Sequence, residues 1–350
     1  MILIRLLVLT LLALWSVLAQ APTRCTSIRT RREIRQLSRQ ERMRFIHAIR
    51  QLNQGDIPTV WDNYALWHLN LNHTIHRSPF FLPFHRRYLV DLENRLQAID
   101  PSVTLPYWDW SLDAKAPFDN VVFSSASDWL GSQGSCLNDG GFARFYVTCT
   151  ESGPRSHCLS RRFRAVNGRT TLYGRDIIQR IVDTTNTYNA FRELLEYGPH
   201  NLVHDMVGGD MDTMCAPSDP LFFLHHTFVD KLWADWQRYP NRGRQFDGTP
   251  SGEQLTSASL IPYYKEPVSS SLSTRAYCYQ YAPSPEPAEL VPSSDRPNLP
   301  EAISKDFIEH WGYNATKVRN VENYLKGLAD GNGKGKVGVL ESNPTHPLSF

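Results

Sequence analysis

The chain has 350 residues, with 37 Lys and Arg against 35 Asp and Glu and a formal net charge of +2. That balance leaves no basic surface for nucleic acid or anionic lipid. The length suits one large domain, or a domain with an appendage.

Residues 1–19 combine an early charge, Arg5, with an apolar run from Leu6 to Leu18 and a small residue, Ala19. This is the pattern of a secretory signal peptide, and the run falls short of the roughly 20 residues of a spanning helix. No later stretch is apolar enough to span, so a secreted, extracellular protein is expected. Six cysteines follow: Cys25, Cys136, Cys149, Cys158, Cys215 and Cys278. An even number in an exported chain predicts three disulfides with connectivity open. Asn72 and Asn314 head glycosylation sequons.

Apolar residues recur at helical spacing from Ile34 to Leu52, interrupted near Gln40. Further helices are predicted over 59–69, 85–99, 174–184, 190–196, 199–206 and 220–239. Between 110 and 170 the chain is rich in Gly, Ser, Asp and Cys and reads as long loops. Six prolines fall between Pro283 and Pro300, the composition of a linker or extended wrap. One short helix is predicted within 301–328, and 331–338 reads as a flexible loop. The organisation is then a signal peptide (1–19), a catalytic unit (20–282), and a linker with a C-terminal tail (283–350).

Eight of the 12 histidines fall in two clusters. His47, His157, His310 and His346 stand alone and carry no signal. His200 and His204 are four apart on a predicted helix and project from one face. A zinc protease with that spacing needs a glutamate after the first histidine; here the residue is Asn201. A third ligand comes from the segment Asp219 to Asp230, where Asp219 caps a helix, Pro220 opens it, and His225 and His226 follow in an apolar setting. In the other cluster, His68 closes one helix and His85 begins another. His76 lies between, on a loop with Pro79 and Pro83, and His73 is also available. Imidazoles gathered in this way are metal ligands in waiting.

The stretches His76-Arg77-Ser78-Pro79-Phe80-Phe81-Leu82-Pro83-Phe84-His85-Arg86 and Asp219 to Asp230 resemble the two copper signatures of the tyrosinase family. Leu105 to Trp110, Val207 to Met211 and Tyr277-Cys278-Tyr279 resemble further landmarks of that family, and the likeness runs from about residue 30 to residue 281. It implies a mainly α domain whose central four-helix bundle holds two copper ions, a type 3 pair. One ion would be held by His68, His76 and His85, the other by His200, His204 and His226. The family pattern selects His68 over His73, and His226 over His225. Phe84 replaces the family's usual tryptophan, and Thr74 stands where one branch has a cross-linked cysteine, so no thioether is expected.

The same resemblance implies dioxygen and a phenol as substrates, with ortho-hydroxylation of monophenols and oxidation of o-diphenols to o-quinones, the chemistry of melanin-type pigments. Asn201 and Glu196 would orient the water that takes the phenol proton, with Glu193 as the alternative carboxylate. Met214 falls near the substrate entrance, and Arg31 or Arg32 is expected to pair with the tyrosine motif. The competing functions are a catechol oxidase without monophenolase activity, a dioxygen carrier of the hemocyanin kind, and a copper-binding matrix protein.

Overall fold

The computed structural model describes residues 25–165, 170–248, 254–286 and 299–329. The signal peptide, most of the proline-rich stretch, His346 and the loop 331–338 lie outside the described residues.

The first helix, α1 (Arg39–Leu52), begins at Ser38, whose hydroxyl accepts from the Glu41 N–H while the Glu41 carboxylate accepts from the Ser38 N–H. This reciprocal cap explains the break near Gln40: Ile34–Gln36 form a separate 3-10 turn. Thr59 and Asp62 cap α2 (Val60–Ile75) in the same way, and the helix runs past its expected end at residue 69. The third helix, α3 (Phe81–Ile99), starts four residues before His85, because Pro83 falls in the first turn, where its missing N–H costs nothing. Then come α4 (Arg175–Thr184), α5 (Tyr188–Leu195), α6 (Asn201–Val207) and α7 (Pro220–Trp236). The cap of α7 is as expected, with the Asp219 carboxylate accepting from the Leu221 N–H.

The fold is mainly α, with α2, α3, α6 and α7 around the central histidines. Tyr88 of α3 stacks on Phe223 of α7 and meets Tyr64 of α2 edge to face, an aromatic seam that fixes the spacing of the three helices. Among the described residues strands are confined to two short pairs. One is parallel, β1 (Arg29–Arg31) with β4 (Tyr279–Tyr281); the other, β2 (Tyr146–Val147) with β3 (His157–Cys158), is antiparallel. The Arg31 guanidinium lies 3.7 Å above the Tyr279 ring and bonds Glu93. The expected tie to the tyrosine motif is therefore made by Arg31, while Arg32 pairs with Glu41.

All six cysteines are paired, as Cys25–Cys278, Cys136–Cys158 and Cys149–Cys215. The last two hold the loop-rich region between α3 and α4. No described helix is long and apolar enough to cross a membrane.

The C-terminal stretch departs from expectation. In place of one short helix there are two, α8 (Lys305–His310) and α9 (Ala315–Ala329). Val318, Val321, Leu325 and Leu328 recur at helical spacing and are buried against the core with Ile303, Phe307 and Trp311. At Gly198 a Cβ would sit 2.7 Å from Leu325 Cδ1, so the absent side chain is what lets α9 approach this closely.

Candidate metal centre

Each histidine cluster becomes a compact nitrogen group. His68 lies on α2, His76 is the residue that ends it, and His85 sits one turn into α3. One nitrogen from each of the three falls within 4.8 Å of the others. The same holds for His200, His204, His225 and His226. The two groups adjoin, with the His85 and His226 rings stacked at 4.3 Å. His73 is exposed and belongs to neither.

His200 is delivered by an irregularity. Pro199 has no N–H to give an α-helical bond, and the chain widens into a π turn over Glu196–His200 before α6. Three other rings are aimed by backbone carbonyls: His68 Nδ1 at Met214 O (2.8 Å), His85 Nδ1 at Phe81 O (2.7 Å) and His204 Nδ1 at Met211 O (2.7 Å). His200 Nδ1 lies 3.0 Å from Asn201 Oδ1 and 3.3 Å from Glu196 O. A carbonyl oxygen only accepts, so each of these rings keeps its proton on Nδ1 and turns a bare Nε2 lone pair inward.

Three of those four lone pairs have no hydrogen-bond partner. Nε2 of His68, His85 and His204, both nitrogens of His76, and Nδ1 of His226 are buried without a partner. His200 Nε2 faces His226 Nε2 at 3.3 Å. Unpaired polar atoms in such number are costly in an apolar core. Protonation would not relieve them, because burial pushes His68 down to about 4 and His200 to about 3, and burial with mutual repulsion holds the other five rings of the two groups well below the usual range. Neutral, buried imidazoles with inward lone pairs are the donor set that copper and other late transition metals prefer. The residues present fit the implied copper.

Asn201 is buried, and its amide Nδ2 has no partner. Glu196 is fully buried; its Oε2 accepts from Arg192 Nη1 at 2.9 Å, and its Oε1 accepts from the Arg77 N–H and the Tyr313 hydroxyl. Burial raises its pKa, with Arg192 pulling the other way. Glu193 is bridged by Arg192 and Lys317. Neither glutamate is a surface residue. Met214 lies at the site, orienting His68 through its carbonyl. Phe84 is buried and meets His85 edge to face at 5.3 Å.

The C-terminal helices close the mouth. The Trp311 ring sits 5.0 Å from His204 and 5.7 Å from His76, and its indole N–H donates to Asp212 O at 3.3 Å. Its own carbonyl accepts from Arg77. Around it, the Ser304 N–H and hydroxyl both bond Asp205, and His310 bonds Glu151, which also accepts from the Met214 N–H. All six expected ligands are at most 2% exposed. Trp311 and Tyr313 are absent from the residues that the sequence singles out. Their signal was the aromatic trio Phe307, Trp311 and Tyr313, close together beyond a linker.

The family model described as the common central domain of tyrosinase matches residues 58–239. A tyrosinase of Streptomyces glaucescens is 36% identical over 231 residues, 59% of this chain and 82% of that protein. Among solved structures, a polyphenol oxidase variant from Thermothelomyces thermophila superposes with a TM-score of 0.62 at 22% identity, covering 74% of this chain and 91% of that one. A functional unit of octopus hemocyanin superposes at 0.50 and 17% identity, covering 73% and 68%. At these identities the two structures speak for the fold alone.

Proposed function

Because the chain belongs to the tyrosinase family of type 3 copper proteins and is an oxidoreductase of that kind, we propose that it is a secreted monophenol monooxygenase and o-diphenol oxidase. Its substrates are phenols and dioxygen, and its product is an o-quinone. The observation that carries this reading is the pair of buried groups of neutral imidazoles with unpartnered lone pairs. His68, His76 and His85 would hold one copper, and His200, His204 and His226 the other. Bound there, the copper pair supplies the redox chemistry between dioxygen and the phenol ring.

The rest falls to the chain's own residues. The carbonyls of Met214, Phe81 and Met211 hold ring orientation, which is half of what makes a metal site selective. The unpartnered Asn201 Nδ2 is a donor that would hold a water, and Glu196 Oε1 is the acceptor that would take the phenol proton through it. The apolar walls, Phe81, Phe222 and Phe84, keep bulk water out.

With Trp311 against His76 and His204, and Tyr313 on the Glu196 carboxylate, the described arrangement is a closed form. A phenol ring reaches the centre only when the segment carrying α8 and α9 moves away. Two measurements test the reading: copper content of the purified protein, and turnover of tyrosine and of catechol before and after the tail is detached. Turnover of both supports the full proposal; catechol alone makes the protein a catechol oxidase; neither, in a copper-loaded, tail-free protein, leaves a dioxygen carrier.

A further inference from the structure

The second group offers four buried nitrogens where a ligand set of three is expected, because His225 stands with His200, His204 and His226. His225 is fully buried, its ring stacked on His200 at 5.2 Å and edge-on to His204 at 5.1 Å. Proximity alone does not tell it from a ligand. The polarity of its partner does.

His68, His85 and His204 have Nδ1 against a backbone carbonyl, and His200 has it against carbonyl-type oxygens. His225 Nδ1 instead faces Trp110 Nε1 at 3.1 Å. An indole N–H can only donate, so this Nδ1 must accept, and the single proton of the neutral ring is forced onto Nε2. Nε2 is the atom left without a partner, and with a proton on it there is no lone pair to offer a metal. Moving the proton to Nδ1 would set two N–H groups against each other at 3.1 Å. Trp110 cannot step aside, since it is itself fully buried and packs edge-on against Phe228.

We propose that Trp110 is a tautomer lock: its indole N–H holds His225 in the Nε2–H form and so excludes it from the coordination sphere, keeping the second copper at three imidazoles. The inference rests on the copper reading above. It makes Trp110 a positioning residue and gives the two tryptophans of Tyr107-Trp108-Asp109-Trp110 different duties: Trp108 Nε1 bonds the Asp113 carboxylate, whereas Trp110 governs a ring beside the metal. An open position for dioxygen and phenol on that copper follows from the exclusion.

The test counts imidazoles on copper by X-ray absorption, together with copper per chain, in the full-length wild type and in Trp110→Phe, His225→Leu and the double variant. The lock predicts three imidazoles per copper in the wild type. In Trp110→Phe, which stays aromatic but removes the donor, the average rises above three and the protein loses copper to a chelator about tenfold more slowly. The double variant returns to the wild-type count, and His225→Leu alone retains both coppers with three imidazoles each. An unchanged count in a folded Trp110→Phe overturns the lock while leaving the copper reading intact. Loss of a copper in His225→Leu overturns it as well, by making His225 a ligand, and this variant decides the matter if Trp110→Phe does not fold. A wild type that takes up no copper fails the underlying reading itself.

Discussion

The Tyr313 hydroxyl donates to Glu196 Oε1 at 3.2 Å, joining the C-terminal helices to the carboxylate that stands one turn before His200. The same tail thus fills the space over the imidazoles with Trp311 and occupies the acceptor that the proposed chemistry needs. Trp311→Ala should weaken docking of the tail by about 3 kcal/mol and raise kcat/KM for catechol by at least about tenfold. Tyr313→Phe, which removes one hydrogen bond worth about 1 kcal/mol, should raise it by only a few-fold. Steady-state kinetics on the full-length proteins decide this; unchanged or lower rates in Trp311→Ala would show that the tail is not a cover.

Replacing one imidazole should empty one side of the centre. His204→Ala is expected to retain about half of the wild-type copper, because with His225 held out of the ligand set His200 and His226 alone no longer close a three-nitrogen site. His73→Ala, at an exposed position outside both groups, should retain all of it. Atomic absorption of the dialysed proteins reads both. Full copper in His204→Ala would remove that residue from the ligand set.

Glu196→Gln separates the two phenol reactions. Hydroxylation needs a group to take the phenol proton, and loss of a general base costs on the order of 100-fold or more. Tyrosine turnover should fall by that order while catechol turnover changes little. Equal losses on both substrates would mean that Glu196 serves the fold, through Arg192 and Arg77, and not the proton.

Asp212 gives the protein a pH-dependent cost. Burial, aided by Asp205, raises its pKa from 3.8 to about 7, and one carboxylate oxygen is buried without a partner. The folded state therefore holds a proton that the unfolded chain releases above its lower pKa. Stability should fall as pH rises from about 4 to about 7 and level off beyond. Asp212→Asn should remove that slope, adding about 1–2 kcal/mol near pH 7.5, once partial exposure is allowed for, and almost nothing near pH 4. Urea melts at the two pH values check it, and an equal gain at both would rule out the ionisation as cause.

The parts of the fold that could be read from sequence were those with local chemical signals. Asp219 and Pro220 announce the start of α7, and the four-residue spacing of His200 and His204 puts both rings on one face. The end of α2 is not marked locally: the apolar pattern predicts a helix closing at His68, near residue 69, whereas in the structure it continues through Leu71 to Ile75 and His76 is its final cap. The π turn escaped because Pro199 reads locally as a helix start; only the flanking α5 makes it the middle of a continuous run. The cover over the site was invisible for another reason. Nothing local to Trp311 states that it meets His204, more than 100 residues earlier, and that contact exists only once α9 has found Gly198.

The tail leaves the core from a fixed point. The Ala282 N–H donates to Arg31 O, and the Ala282 carbonyl accepts from the Tyr107 hydroxyl, just after the strand pair and the Cys25–Cys278 bridge. Twenty-one residues, 283–303, separate Ala282 from Ser304, which bonds Asp205, and a chain of that length reaches at most about 75 Å. Any excursion of α8 and α9 is therefore followed by recapture from a local concentration of order millimolar, whatever the concentration of the protein itself. Dilution will not wake such an enzyme, and opening by thermal motion alone will be brief. A cut between Ala282 and Ser304 changes the arithmetic, because it turns recapture into a meeting of two separate molecules that every later dilution makes rarer.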